Sequence, residues 1–227
     1  MKKFFATTMI LFFSVLLVAG TSWAVPIIEF DDIVAANQFG TITYDGSSSG
    51  VAVGTNIYFD QVTGTGTPSN SGKSYSISNG SLSFTTGQNT IMGPNYWEFG
   101  AGGTFKLIGG ISELSISNGT TLLEGTFDLA TVSAVVGIGL TFNAFGFDTK
   151  DSDLLAAYGI YDMSGWKFVN TEISLDEFTI GADGSFSGKV DNADINNKAV
   201  PEPSTLLLLG FGLFGTAIFG RKKLLEN

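Results

Sequence analysis

The sequence predicts a mainly β protein, an antiparallel β-sandwich of the jelly-roll type with one or two short helices. Apolar residues alternate with polar residues over much of the chain, which is the pattern of half-buried strands. Glycine is abundant, with 30 residues among 227, and Asn-Gly and Asp-Gly pairs recur where turns between strands are expected. Short strands separated by such turns are typical of two antiparallel sheets packed face to face.

The N-terminal segment has the three parts of a secretory signal peptide. A basic start is followed by an almost entirely apolar stretch, residues 4–18, and by small residues at a cleavage site, residues 22–24. Signal peptidase is expected to cut between Ala24 and Val25, which assigns residues 1–24 to a signal-peptide helix outside the mature fold. An uncleaved N-terminal anchor is the alternative.

Residues 25–187 are expected to form one β-rich domain. Asn79-Gly80 and Asn118-Gly119 are each flanked by alternating runs. Both pairs are predicted to be tight hairpin turns, because a type I′ turn needs two residues at positive φ.

Three further stretches predict strands. The run from Trp97 to Leu107 alternates and predicts a half-buried strand with bulges at its glycines. Residues 126–147 hold a nearly continuous series of β-branched and apolar residues, which predicts a strand pair buried on both faces. Asp183-Gly184 predicts the turn of a last hairpin.

Two segments have the pattern of short helices at the sandwich edge. Residues 31–37 begin with two acids, and residues 151–159 combine a capping aspartate, good helix formers and a final glycine. Residues 188–199 are polar and without periodicity, so they are predicted to be a linker between the domain and the C-terminal tail.

The domain is strongly acidic. Between the two terminal segments six basic residues face 19 acidic ones, a net charge of −13. This surface repels nucleic acid and anionic lipid, so neither is expected as a partner of the domain. The chain has no histidine and no cysteine, which excludes serine–histidine triads, cysteine–histidine dyads and His/Cys metal sites. We expect no enzymatic activity and no cofactor.

Asp148, Asp151 and Asp153 crowd into one short stretch and are the candidates for a calcium site. Calcium takes six to eight oxygen ligands, but the glycine and distal glutamate of an EF-hand loop are missing here. A solvated loop is therefore the favoured alternative, with no metal bound.

Four aromatic residues are candidates for stacking on sugar rings: Trp97, Trp166, Tyr96 and Tyr161. Trp97 and Trp166 are in phase with apolar neighbours, so both are predicted to lie in the core instead.

Two carboxylates are enough for glycoside hydrolysis, but 19 acids make some pair inevitable, and no pair stands out.

The last segment, residues 200–227, combines a polar motif, an apolar stretch and a basic end. The motif is Val200, Pro201, Glu202, Pro203 and Ser204. Residues 204–220 carry no charge, and as a helix they span about 25 Å, near the lower limit for crossing a bilayer. The basic end consists of Arg221, Lys222 and Lys223. By the positive-inside rule these residues stay cytoplasmic, so the domain lies outside.

This tail resembles the PEP-CTERM sorting signal, residue by residue over 200–204 and again in the basic cluster at 221–223. The resemblance is confined to the tail. It implies export through the general secretion machinery, transient anchoring in the inner membrane, and processing by an exosortase, a membrane-embedded cysteine transpeptidase of bacteria that make exopolysaccharide. Pro201 and Pro203 also keep the backbone extended, as a processing enzyme requires.

The predicted function is that of a non-catalytic protein of the cell surface or extracellular matrix, associated with exopolysaccharide or a biofilm. A carbohydrate-binding module is the alternative, and a glycan hydrolase that uses two carboxylates is a weaker one. An exposed row of aromatic residues would favour the binding module. A deep cleft with two facing acids would favour the hydrolase.

Overall fold

The computed structural model describes residues 25–33, 40–135, 137–161 and 166–199, with the backbone alone for residues 166–169. Its elements are β1 (Ile27–Asp31), β2 (Thr41–Tyr44), β3 (Val53–Thr65), β4 (Ser74–Thr86), β5 (Asn89–Gly93), β6 (Tyr96–Phe99), β7 (Gly102–Ile111), a 3₁₀ turn (Ser112–Leu114), β8 (Ile116–Val135), β9 (Gly139–Lys150), α1 (Ser152–Ala157), β10 (Trp166–Ile180) and β11 (Phe186–Ala199). The prediction of a mainly β, antiparallel protein is confirmed.

The strands form one hydrogen-bonded sheet in the order β5-β6-β8-β7-β4-β3-β1-β11-β10-β9. Strand β9 also pairs with β8, so eight of the strands make a closed ring. The short strands β1 and β2 lie one after the other between β3 and β11. The sequence predicted two packed sheets, whereas the hydrogen bonds join all the strands into one.

The inside of this ring is filled by a single apolar core. Phe84 on β4 stacks on Phe142 on β9, with ring centroids 4.7 Å apart, and Trp97 on β6 meets Phe186 on β11 at 4.9 Å. These contacts join strands that are not neighbours in the sheet. Opposite sides of the ring therefore face each other as the layers of a sandwich do, and burial of their aromatic side chains stabilises the fold.

The two Asn-Gly pairs are bulges inside long strands, so their prediction as hairpin turns is wrong. Asn79, with φ of 52°, lies in the middle of β4, and Gly119, with φ of 82°, lies within β8. A β-bulge uses the same positive φ as a type I′ turn, so the sequence signal is shared. The chain reverses instead at residues 66–73, and at the 3₁₀ turn before Ser115.

The Asp183-Gly184 turn joins β10 to β11, as predicted. The predicted strand from Trp97 to Leu107 is two strands, β6 and β7, that lie end to end along β8 with bulged glycines between them. Burial on both faces is wrong for the next strand pair. Phe145 is 38% exposed and Phe147 is 47% exposed on the outer face of β9, and Ile138 is 83% exposed at the tip of the β8–β9 hairpin.

The second predicted helix is confirmed as α1. Its cap is Asp151, whose Oδ1 accepts hydrogen bonds from Asp153 N at 2.9 Å and Leu154 N at 3.0 Å. Gly159 follows the helix with φ of 75°, the left-handed conformation expected after a helix end. The other predicted helix, residues 31–37, falls mostly outside the described residues, and its first residue ends β1.

Residues 188–199 belong to β11, so their prediction as a linker is wrong. The domain ends at residue 199 and not at residue 187. Strand β11 pairs with β1, β2 and β10, and it buries alternate side chains: Val190, Ala193, Ile195, Asn197 and Ala199. A bulge after Val190 shifts the phase of the alternation, and the outward-facing residues are polar because that face is solvated. These two features hide the strand in the sequence.

The predicted signal peptide at residues 1–24 and sorting signal at 200–227 lie outside the described residues. Within the part of the chain that the structure describes, no helix is long and apolar enough to span a membrane.

Candidate functional site

Both ends of the described chain lie together at one pole of the ring, which we call the terminal pole. Ile27 near the start of β1 is in register with Lys198 near the end of β11, and Ala199 N donates a hydrogen bond to Pro26 O at 3.3 Å. The predicted cleavage position and the polar motif at Val200 therefore flank adjacent strands. The motif follows the folded sheet directly.

The opposite end of β11, called the turn pole here, carries a cleft of ≈ 530 Å³. Two Asp-Gly-Ser turns, residues 45–47 and 183–185, pack against each other beside it, and Gly46 leaves no room there for a side chain because a Cβ would lie 2.9 Å from Ser185 N. The cleft is lined mainly by hydroxyl side chains and by Tyr44 and Phe186. The cleft therefore combines hydroxyl groups with apolar side chains, among them Val51 and Val53.

Two carboxylates, Asp45 and Asp183, sit in these turns, and hydrogen bonds lower the pKa of both. Asp45 Oδ1 accepts from Ser47 N and Oγ, and Asp183 Oδ1 accepts from Ser185 Oγ and N. Glycoside hydrolysis needs one carboxylic acid whose pKa is raised so that it keeps a proton. This pair does not have the electrostatics of a glycosidase acid and base.

The three calcium candidates do not converge. Asp148 points into the core, Asp151 caps α1, and Asp153 is exposed in the first turn of that helix. Among the described residues there is no group of three or more acidic side chains with the geometry to hold a metal ion. The sequence crowding reflects the end of a strand followed by a helix cap.

Asp148 instead belongs to a buried polar cluster that it forms with Lys150 and Asn197. Asp148 Oδ1 and Lys150 Nζ are 2.5 Å apart, both side chains have no exposed surface, and Lys150 Nζ donates to Asn197 Oδ1 at 3.2 Å. Burial raises the pKa of Asp148 and lowers the pKa of Lys150 to about 8, each against the effect of its charged partner. Asp148 and Lys150 are two residues apart on β9, whereas Asn197 comes from β11, so no local pattern indicated that the three side chains would meet.

A row of acids crosses the outer face of the sheet near the terminal pole. Asp194 on β11 lies in register with Asp31 on β1 and Glu172 on β10. Partial burial and then the neighbouring acids Asp31, Glu29 and Glu172 raise the pKa of Asp194 to about 6. Four acids are therefore close together in a place where their repulsion opposes folding at neutral pH.

Asp194→Asn should raise the free energy of unfolding at pH 7 by about 1 kcal/mol, after allowance for solvent screening. Because the folded pKa of about 6 exceeds the ordinary 3.8, the fold binds the proton more tightly. The contribution of Asp194 to stability is then fully present below about pH 4 and is lost as the pH rises through about 6. Thermal unfolding between pH 4 and 8 should show a weaker pH dependence in the variant. Glu113→Gln, in the exposed 3₁₀ turn, should leave the profile unchanged, and an equal response of both variants would contradict this prediction.

The aromatic candidates have different surroundings. Trp97 is in the core, as its phase predicted, and its Nε1 donates to Gly184 O at 2.8 Å. Tyr96 is 37% exposed and Tyr161 is 83% exposed, while the side chain of Trp166 lies outside the description.

Sequence reasoning missed Phe145 and Phe147, which are both exposed on the outer face of β9. They are two residues apart on one strand and therefore point the same way. Their alternation with the buried Ala144 and Asp148 was the available signal.

Comparison with known proteins matches residues 199–223 to the PEP-CTERM protein-sorting motif. The match covers the tail that the sequence resemblance identified, and it begins at the last residue of β11. No curated protein and no solved structure matches the chain. The motif implies an exported, cell-surface-sorted protein that an exosortase processes.

Proposed function

We propose that this chain, which carries a PEP-CTERM sorting signal at residues 199–223, is a non-catalytic protein of the cell surface or extracellular matrix. Signal peptidase removes residues 1–24, the apolar stretch 204–220 holds the chain in the inner membrane, and an exosortase then cuts at the motif. The mature protein is the closed sheet, released into or attached to the exopolysaccharide layer.

The observation that carries this proposal is the position of the chain ends. The motif begins where β11 ends, and β1 begins beside it at the terminal pole. A domain held by this pole directs its turn pole, with the cleft beside residues 45–47, away from the membrane. This arrangement suits a protein that is held at one end and contacts the matrix with the other.

The charge of the domain supports a neutral partner. The net charge of −13 between the end segments repels anionic polymers and lipid surfaces but leaves neutral polysaccharide unaffected. The same charge keeps the released domain soluble and monodisperse at high local concentration.

Replacing Pro201, Glu202 and Pro203 together by alanine should leave the full-length chain in the inner membrane of a host that has an exosortase. The substitutions remove the motif and its extended backbone without touching the described sheet. Cell fractionation and immunodetection with a tag inside the 66–73 loop measure the outcome. Lys198→Ala is the control and should be processed normally, because Lys198 is exposed and lies one residue before the matched motif. Release of the triple variant at the rate of the parent would contradict the proposal.

A carbohydrate-binding module is the second candidate, and the exposed pair Phe145 and Phe147 favours it. Two aromatic faces on one strand provide a platform on which successive sugar rings can stack. Phe145→Ala with Phe147→Ala should then abolish retention of the full chain on immobilised neutral polysaccharide from the host. Thr149→Ala, on the same face of the same strand, is the control. Unchanged retention of the double variant would remove this candidate.

A further inference from the structure

The buried cluster of Asp148, Lys150 and Asn197 has the components of an amide-forming site. Lys150 carries an amine and Asn197 carries a carboxamide. Asp148 carries a carboxylate, which can take up a proton and release it. Lys150 Nζ is 3.2 Å from Asn197 Oδ1 and 2.5 Å from Asp148 Oδ1. All three side chains are inside the ring, where Asn197 has no exposed surface.

We propose that Lys150 and Asn197 join in an intramolecular amide bond, with Asp148 as the catalytic acid and base. The lone pair of Lys150 Nζ attacks Cγ of Asn197 and forms a new C–N bond. The bond from Cγ to Nδ2 breaks, and this nitrogen leaves as ammonia. One amine and one carboxamide thus give one secondary amide and one ammonia molecule, and no oxidant or reductant takes part.

The proton path runs through Asp148. Its Oδ1 takes a proton from the Lys150 ammonium, which leaves a neutral amine that is nucleophilic. Asp148 gives this proton to the departing nitrogen, which leaves as ammonia, and then takes up the second proton that the lysine nitrogen loses on forming the amide, so the carboxyl ends in its protonated form. Oδ2 of Asp148 is buried and accepts no hydrogen bond from the described residues, so it can carry the proton without competition.

The pKa directions agree with this path. Burial raises the pKa of the Asp148 carboxyl and lowers the pKa of Lys150 to about 8, so the two values move toward each other. Transfer of the proton from lysine to aspartate therefore needs less free energy here than in water.

The fold also supplies orientation. Asn197 Nδ2 donates to Ile195 O at 3.3 Å, which turns Oδ1 toward Lys150. Groups held at near-contact distance react as if at very high concentration, and a buried site excludes the water that would otherwise compete as nucleophile. Neither effect operates in the unfolded chain, so the bond forms only after folding.

The bond would join β9 to β11 across the intervening strand β10. Strand β11 leads directly into the sorting motif, so the strand through which the protein is held would be covalently attached to the body of the sheet. The chain has no cysteine, and this amide would provide the cross-link that disulfides provide in other exported proteins. The inference concerns the described domain and does not depend on the proposed function.

The test is mass spectrometry of tryptic peptides from the purified full chain after denaturation. Trypsin cannot cut after an acylated lysine, so residues 107–167 should remain in one piece and be linked to residues 190–198. The linked species should be lighter than the sum of the two peptides by one ammonia. Fragmentation should place the branch at Lys150 and Asn197. Complete cleavage after Lys150 and a free 190–198 peptide in the parent protein would overturn the proposal.

Single substitutions test the roles of Asn197 and Asp148 in forming the bond. Asn197→Ala should yield only unlinked peptides, whereas Asn196→Ala, its outward-facing neighbour, should remain linked. Asp148→Asn preserves the shape of the side chain but cannot take up the proton, so linked peptide should fall at least tenfold. Full linkage in Asp148→Asn would overturn the role of Asp148. The parent measurement decides the existence of the bond even where a variant fails to fold.

Discussion

A chain of residues 25–187 should fail to fold, whereas a chain of residues 25–199 should form the complete sheet. The shorter chain lacks nearly all of β11, which pairs with β1, β2 and β10 and closes the ring. It also loses the buried side chains of Val190 and Ile195. A typical domain is stable by only about 5–15 kcal/mol, so loss of a central strand and its buried side chains should leave no stable folded state.

Circular dichroism and thermal unfolding of the two chains measure this difference. The chain that ends at residue 199 should unfold cooperatively, and the chain that ends at 187 should show no cooperative transition. Addition of a synthetic 188–199 peptide to the shorter chain is a useful control, because restored structure would show that the missing strand is responsible. Equal melting temperatures of the two chains would mean that residues 188–199 are a linker after all.

Gly80→Ala should destabilise the domain by about 3 kcal/mol or more, as expected when an atom is forced into a packed interior. A Cβ on Gly80 would lie 2.0 Å from the carbonyl oxygen of Phe59 on β3 and 2.9 Å from Cγ2 of Ile77. The carbonyl belongs to the backbone of the paired strand, so it cannot move without opening the sheet.

Gly119→Ala, in the corresponding bulge of β8, is the matched control for Gly80→Ala. A Cβ on Gly119 meets nothing within 4 Å, and the residue has φ of 82°. Its substitution should cost only the strain of a left-handed conformation, about 1 kcal/mol. Chemical denaturation of both variants gives the two values. Similar losses in Gly80→Ala and Gly119→Ala would show that the close approach of β3 and β4 is not as described.

The sequence was a good guide to local conformation and a poor guide to connectivity. Positive φ was expected at the Asn-Gly pairs, and Asn79 and Gly119 have it. A tight turn and a bulge place the same demand on these residues, so the sequence cannot say whether the chain reverses or continues. The Asp183-Gly184 turn and the cap at Asp151 were predictable because each depends on its immediate neighbours.

Long-range features were beyond sequence reasoning for a physical reason. The ring closes through the pairing of β8 with β9 and of β1 with β11, and pairing of this kind depends on the whole sheet. The cluster around Lys150 is equally non-local, since Asn197 comes from another strand. In β11 the bulge and the solvated outer face conceal the alternation, which is why a central strand resembled a linker.

The central claim is that the closed sheet is delivered to the cell surface and cut at a motif that follows its last strand. The most direct test is terminal mass spectrometry of the protein recovered from the surface or matrix fraction of a host with an exosortase. We expect a mature chain that begins at Val25 and ends within residues 200–204, with all of β11 retained. A surface protein that still ends at Asn227, or one cut before Ala199, would contradict the account.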